Sequence, residues 1–256
     1  MGSSKTGSIL RRLGNKKKLI PKLLPLFPEH KVYIETFFGT GSVFFAKQKA
    51  QYNIVNDLDS DVFNLFQVVM HKKAELEEAF YKMPIHTDLL KYWKKNEETN
   101  DVLKACRFLF LSNFTFMGAG ASLKVGTENH KLLFNSNIDS TFELLSEVQF
   151  LNKDFRKFLK SFSIKNPNNY FIYNDPPYLG TGDNYSNSFT EQDSIDLFQT
   201  LIETKCKFGI SEFDNPIILD LAKRHNLNVH YLGERKNLGN RRMEIYIYNY
   251  TLNTLF

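Results

Sequence analysis

Cysteine and tryptophan are almost missing from this chain, whose 256 residues include two of the first and one of the second. Cys106 and Cys206 stand about a hundred residues apart, without the close spacing of a metal cage or a redox pair. They read as two buried thiols in a reducing compartment. No His/Cys cluster offers a metal site, and no apolar run is long enough to span a membrane. The stretch RRLGNKKKLIPKLLPLFP starts basic and turns apolar, as a signal peptide does, but Pro21, Lys22, Pro25 and Pro28 interrupt it. No small-residue cleavage site follows, so a cytoplasmic protein is expected. Repeats and low-complexity segments are absent. Neither sign of charge dominates, with 33 Lys plus Arg against 28 Asp plus Glu. That small positive excess suits a partner with phosphates, and equally an ordinary soluble protein.

What the chain does have is aromatic residues, 24 Phe and 12 Tyr, set into alternating patterns. KVYIETF (31–37), YNIVND (52–57), VQFLNKD (148–154), YFIYND (170–175) and KFGIS (207–211) read as strands. SVFFAKQKA, DVFNLFQVVM, EQDSIDLFQTLIE and PIILDLAKRHN read as helices, and NVHYLGER and MEIYIYNY as two closing strands. From about 72 to 112 the period is helical, and MGAGASLKVGTENHKL then reads as loop or hairpin. Strand–helix alternation predicts an α/β fold, a parallel sheet with helices on both faces, interrupted by a helical block at about 70–145. Such sheets bind ligands beyond the carboxyl ends of their strands, where the strand order reverses.

Two strand ends are chemically loaded. FFGTGS places Gly39 and Gly41 directly after the first strand, where backbone can approach a ligand. Position 44 is Phe rather than the third glycine of a dinucleotide fingerprint, which disfavours a nicotinamide enzyme. Alone, the pair is either a ligand-facing turn or a structural one. Asp57 ends the second strand, where an acid can accept from both hydroxyls of a ribose; Asp57, Asp59, Ser60 and Asp61 are equally good helix caps. Taken together, the turn and Asp57 favour an adenosine-containing ligand without a pyrophosphate. The fourth strand runs into Asp175, Pro176, Pro177 and Tyr178. The Asp175 carboxylate and the Pro176 carbonyl are acceptors in a rigid setting, and Tyr178 adds a flat face. Two acceptors and a stacking ring match an amino group on a planar heterocycle, with its lone pair left available to attack.

These motifs in this order resemble the DNA N6-adenine methyltransferases of the Dam type, and the resemblance covers nearly the whole chain. LGNKKKLIPKL resembles the family's N-terminal cofactor motif, YSNSFT its segment after DPPY, and SEFDN and RRMEIYIYNY its last elements. The resemblance implies a Rossmann-like sheet, mostly parallel with the last strand antiparallel. Residues 1–70 and 146–256 would form the catalytic domain, and 71–145 an inserted, mainly helical target-recognition domain. It implies S-adenosylmethionine as cofactor, S-adenosylhomocysteine as product, and no metal. Arg12, Lys16, Glu35, Gly39, Gly41, Asp57, Phe155 and Asp175 would serve the cofactor, with Asp154 beside Phe155 at its adenine. Asp175, Pro176, Pro177 and Tyr178 would hold a target base flipped out of the duplex. Phe116, Met117, Lys124, Asn187, Ser188, Arg241 and Arg242 would face double-stranded DNA, with Lys16, Lys17 and Lys18 adding phosphate contacts. Family members that read GATC carry aromatic, Asn and Arg residues near the 113–122 loop; residues 118–122 here contain no arginine, a departure that counts against GATC and leaves the recognition sequence open. A companion restriction endonuclease, a monomer or weak dimer, and a bacterial or phage-infected cell fit the same picture. Methylation of cytosine N4 or RNA, or a non-catalytic DNA-binding scaffold, are the alternatives.

Overall fold

The computed structural model describes residues 8–10, 16–118, 120–124, 129–180, 189–236 and 241–252. Arg12, Asn187 and Ser188 lie outside the described residues, as do the side chains of Met117 and Arg241. In chain order the elements begin with α1 (Ile20–Leu23), β1 (Val32–Glu35) and β2 (Tyr52–Asn56). Five helices follow, α2 (Ser60–His71), α3 (Lys73–Lys82), α4 (Thr87–Lys95), α5 (Asp101–Phe114) and α6 (His130–Leu145). Then come β3 (Val148–Leu151), α7 (Phe155–Lys160), β4 (Tyr170–Asn174), α8 (Glu191–Glu203), β5 (Lys207–Phe213), α9 (Pro216–Arg224), β6 (Asn228–Lys236) and β7 (Arg241–Tyr248). Two compact units are formed, Met1–Lys17 with Gly39–Lys47 and Asp59–Val148, and Lys18–Phe38 with Gln48–Leu58 and Gln149–Phe256.

The second unit is built on a seven-stranded sheet of order β3-β2-β1-β4-β5-β7-β6. β1 runs parallel to β2 and β4, and β4 parallel to β5, while β7 is antiparallel to both β5 and β6. The antiparallel last strand is as the family resemblance implies. From β1 the chain winds to β2 and β3 on one side, then crosses to β4 on the other. The strand order therefore reverses between β1 and β4.

Alternation along the strands divides the two faces. Val32, Ile34, Ile172 and Ile245 join a core with Phe158, Leu197, Phe198 and Leu221 from α7, α8 and α9. Tyr33, Phe171, Tyr173 and Tyr246 are buried in an aromatic layer on the other face. The Phe27 ring caps it, 4.7 Å from Phe171 and 5.3 Å from Tyr173, after the short turn of α1. Buried phenols need partners, and each has one. Tyr33 donates to Glu35 Oε2 at 2.7 Å, Tyr173 shares a 2.9 Å bond with Ser211, and Tyr246 shares a 2.7 Å bond with Tyr250. Burial raises the hydroxyls of Tyr33, Tyr173 and Tyr246 well above the ordinary phenol range.

The first unit is helical. Its helix starts are capped as sequence chemistry dictates, by Asp59 for α2, Asn100 for α5 and Asn129 for α6. Phe80 and Phe134 meet at 4.3 Å inside it. The Cys106 thiol lies there too, pushed up to about 12 by burial, and so unreactive.

Two expectations are corrected. SVFFAKQKA is not a helix but a run of turns over 42–46, with bonds such as Phe45 N to Gly41 O at 2.8 Å. Val43, Phe44 and Phe45 are all buried within these turns. α6 begins at His130, inside the stretch read as loop, because Asn129 accepts from Leu132 N at 3.0 Å and starts it early. α7 was not predicted at all.

Candidate active site

The carboxyl ends of β2, β1 and β4 lie side by side in register, Glu35 opposite both Val55 and Tyr173. Beyond the strands the ladder continues, with Thr36 N donating to Tyr173 O at 3.1 Å and Phe38 N to Asn56 O at 2.9 Å. Asp57 and Asp175 thus flank the end of β1, where the strand order reverses. Each follows a buried asparagine. Asn56 donates to Thr36 O at 3.1 Å and Lys153 O at 3.0 Å, and accepts from Lys153 N at 3.0 Å. Asn174 donates to Gly209 O at 3.1 Å. The amides tie neighbouring strand ends together, and the half-buried aspartates project from a fixed backbone. Sequence reasoning missed both asparagines, although the repeated Asn-Asp ending of YNIVND and YFIYND was a visible signal.

The choice between cap and ligand at Asp57 is narrowed. Asp59 caps α2, accepting from Asp61 N at 2.9 Å, so that duty does not fall on Asp57. Asp57 is itself held by its backbone, its N–H to Leu151 O at 3.1 Å and its carbonyl from Asn152 Nδ2 at 2.7 Å. Asp154, by contrast, is a cap for α7, accepting from Arg156 N at 3.0 Å and from its guanidinium at 3.1 Å. Phe155 is 5 % exposed and packs with Phe37 at 5.7 Å and Phe189 at 5.9 Å. Glu35 is buried and accepts from Tyr33.

In the helical unit, Lys16 comes close to the glycine turn, its backbone N–H donating to Ser42 Oγ at 3.2 Å. Its side chain is 1 % exposed, which removes Lys16 from the expected phosphate contacts of the surface. Gly39 and Gly41 both have positive φ, +52° and +66°, the region glycine adopts without strain. A Cβ on Gly39 would meet nothing within 4 Å. In the 115–124 loop, Thr115 and Leu123 form an antiparallel bridge, and Thr115 Oγ1 accepts from Gly120 N at 2.8 Å. Phe116 is 55 % exposed on this loop, so it is not core. Lys124 is exposed, its ammonium donating to Asn113 O at 3.1 Å.

The DPPY turn leans on the far side of the sheet. The Tyr178 hydroxyl donates to Glu244 Oε1 at 2.5 Å, and Leu179 N to Glu212 Oε1 at 3.2 Å. The Arg242 guanidinium stacks over Phe213 at 5.5 Å. Neither glutamate was singled out from the sequence, since an acid inside a strand reads as a solvated edge.

An S-adenosylmethionine-type ligand fits what is present. Thr36 Oγ1 and Asn174 Oδ1 are buried at the reversal point with no hydrogen-bond partner among the described residues, as expected of groups that serve a polar ligand. The acid after β2, in the same unit, agrees with it. Among the described residues no group of three His, Cys, Asp or Glu side chains is placed to hold a metal.

Residues 13–238 match the model of the D12 class N6 adenine-specific DNA methyltransferases. The modification methylase StsI of Streptococcus sanguinis is 25 % identical over 96 % of this chain and 43 % of its own. The retron Ec67 DNA adenine methylase of Escherichia coli is 24 % identical over 91 % of this chain and 85 % of its own. The chain thus spans less than half of the first relative and most of the second. A putative RNA methyltransferase from Pyrococcus horikoshii superposes with a TM-score of 0.44 at 12 % identity, covering 99 % of this chain and all of that one. A model match over most of its length places the chain in the D12 class of N6 adenine-specific DNA methyltransferases, a family that takes its methyl group from S-adenosylmethionine.

Proposed function

We propose that this protein methylates the N6 amino group of an adenine in a short DNA sequence, with the base flipped out of the duplex against the turn Asp175–Tyr178. The observation that carries this reading is the position of Asp175, projecting at the reversal of strand order from a β4 end that Asn174 locks to β5. S-adenosylmethionine, when bound, supplies a methyl group already activated on a sulfonium. The protein's task is then positioning and exclusion of water rather than acid–base chemistry. The Asp175 carboxylate and the Pro176 carbonyl accept the two N6 hydrogens, which turns the nitrogen lone pair out of conjugation with the ring. Pro176 and Pro177 hold those acceptors still, and the Tyr178 ring stacks on the base. Asp57 accepts from the ribose hydroxyls, Glu35 orients the methionine ammonium, Phe155 supports the cofactor adenine, and Lys16, Gly39 and Gly41 serve the methionine end.

DNA contacts fall to the 71–145 block through Phe116, Met117 and Lys124, and to Asn187, Ser188, Arg241 and Arg242. Phe116, which is exposed, would wedge between bases, and the charges would add affinity without sequence preference. The modification methylase name of StsI supports a companion restriction endonuclease.

The test is incubation with tritiated S-adenosylmethionine and unmethylated genomic DNA, followed by single-molecule mapping of N6-methyladenine. Methylated adenines in one short motif, abolished by Asp175→Ala, are the expected result. Label on cytosine N4 or RNA, or cofactor binding with no transfer, would overturn the reading.

A further inference from the structure

The phenol of Tyr178, a half-buried residue, reaches a carboxylate that water does not. Its hydroxyl donates at 2.5 Å to Oε1 of Glu244, which is 0 % exposed. The ring meets Phe213 at 4.5 Å, the planes 78° apart. The following residue is held as well, because Glu212 Oε1 accepts from Leu179 N at 3.2 Å and from Phe213 N at 3.1 Å. Glu212, 2 % exposed, and Phe213 are consecutive in β5, and Phe213 stands opposite Glu244 in the antiparallel register with β7. One cross-strand pair and its neighbour therefore supply every one of these anchors. In the proposed reaction Glu212, Phe213 and Glu244 touch neither base nor cofactor. Burying two carboxylates is costly unless hydrogen bonds satisfy them. Here one bond on each carboxylate, from the Tyr178 hydroxyl to Glu244 and from Leu179 N to Glu212, is made to the turn that presents Tyr178.

The geometry points to Glu244 as a positioning residue that fixes the tilt of the Tyr178 ring and occupies its hydroxyl, so that Tyr178 meets the target base through its ring and passes no proton. This rests on the proposed stacking role of Tyr178. Its hydroxyl proton is directed at Glu244, and the ring is pinned at two points, the phenol oxygen and the Phe213 contact. A stacking surface held in this way pays little rotational entropy when a base arrives.

The test compares wild type, Glu244→Ala, Glu244→Gln, Tyr178→Phe and the double variant Tyr178→Phe/Glu244→Ala in single-turnover methylation of genomic DNA. Affinity for S-adenosylhomocysteine is measured beside it. Loss of a hydrogen bond to a charged group predicts a fall of about ten- to a hundredfold in rate for Glu244→Ala and for Tyr178→Phe, with cofactor affinity unchanged. Glu244→Gln keeps an acceptor and stays within about threefold of wild type. The double variant is no slower than either single one, because both remove the same bond. Multiplying losses, or a Tyr178→Phe enzyme at full speed, would overturn the proposal. Tyr178→Phe removes the bond from the half-exposed end and keeps the test alive should Glu244→Ala not fold. A second readout needs no activity. In 3-fluorotyrosine-labelled protein, the resonance assigned by Tyr178→Phe shifts and broadens in Glu244→Ala and keeps its place in Glu244→Gln. Wild type that methylates nothing would refute the proposed function, and the fluorine signal would still decide the anchoring; an unmoved resonance in Glu244→Ala refutes it.

Discussion

Gly209 is the position where one added methyl group should reach the reaction centre through the sheet. A Cβ there would sit 1.9 Å from the Tyr246 hydroxyl oxygen and 2.4 Å from its Cζ. Ordinary contact starts near 3.4 Å, so the hydroxyl must retreat by about 1.5 Å (3.4 − 1.9). Tyr246 is fully buried and bonded to Tyr250, which donates in turn to Leu26 O at 2.8 Å, so it has nowhere to swing without breaking that chain. Overpacking a core on this scale costs about 3 kcal/mol. For a chain of this length that is a fall of about 6 to 12 °C in Tm. The assay is urea denaturation of Gly209→Ala with the slope checked for constancy. Gly209 also pairs with Tyr173, and its carbonyl accepts from Asn174, the residue before Asp175. Methyl transfer should therefore fall as well, in protein that is still folded at the assay temperature. Gly209→Ala/Tyr246→Phe removes the nearest clashing atom and should recover part of the stability. An unchanged midpoint for the single variant, or no recovery in the double, would refute the reasoning.

Asp57→Ala should weaken S-adenosylmethionine binding by about 1.5–3 kcal/mol, the scale of hydrogen bonds to a charged group, and calorimetry with unchanged affinity would remove Asp57 from the site. Arg156 bonds Asp193 in the first turn of α8 and Asp196 at 2.6 Å one turn on. Burial opposes ionisation of Asp193, but the bonds from Arg156 and Thr190 outweigh it and hold its carboxyl below the ordinary value; Gln192 and Arg156 do the same for Asp196. With folded values depressed, this stability is present above about pH 4 and is lost as pH falls further. Arg156→Met should therefore lose less stability than wild type between pH 7 and pH 3 in urea titrations, and an equal loss would count against the clamp. Lys124→Gln should reduce the salt dependence of DNA binding by about one unit of slope while leaving the methylated motif unchanged, as fluorescence anisotropy across a salt series can show.

The features legible in the sequence were those written in local chemistry. Strand alternation gave KVYIETF and YFIYND, and glycines and prolines marked the turns at Gly39 and Pro176. What escaped were features that depend on partners distant in sequence. Val43–Phe45 reads as helix by composition, yet the chain there closes into turns with all three side chains buried. α7 hides behind Asp154, which looked like a ligand acid and is a cap. Glu212 and Glu244 carry no local sign of burial, because what makes them interior is the pairing of β5 with β7. The α6 start was readable after all, from Asn129 and the helical spacing of Phe134, Ile138, Thr141 and Leu145.

The two thiols have a use of their own. Cys106 belongs to the helical unit and Cys206 to the sheet unit, both are buried, and burial raises both above the ordinary thiol value. Thiol reagents should ignore the native protein and mark each cysteine only when its surroundings open. Pulsed alkylation with mass readout would then time the unfolding of each unit separately, with no engineered probe, and show whether a bound cofactor slows one opening or both.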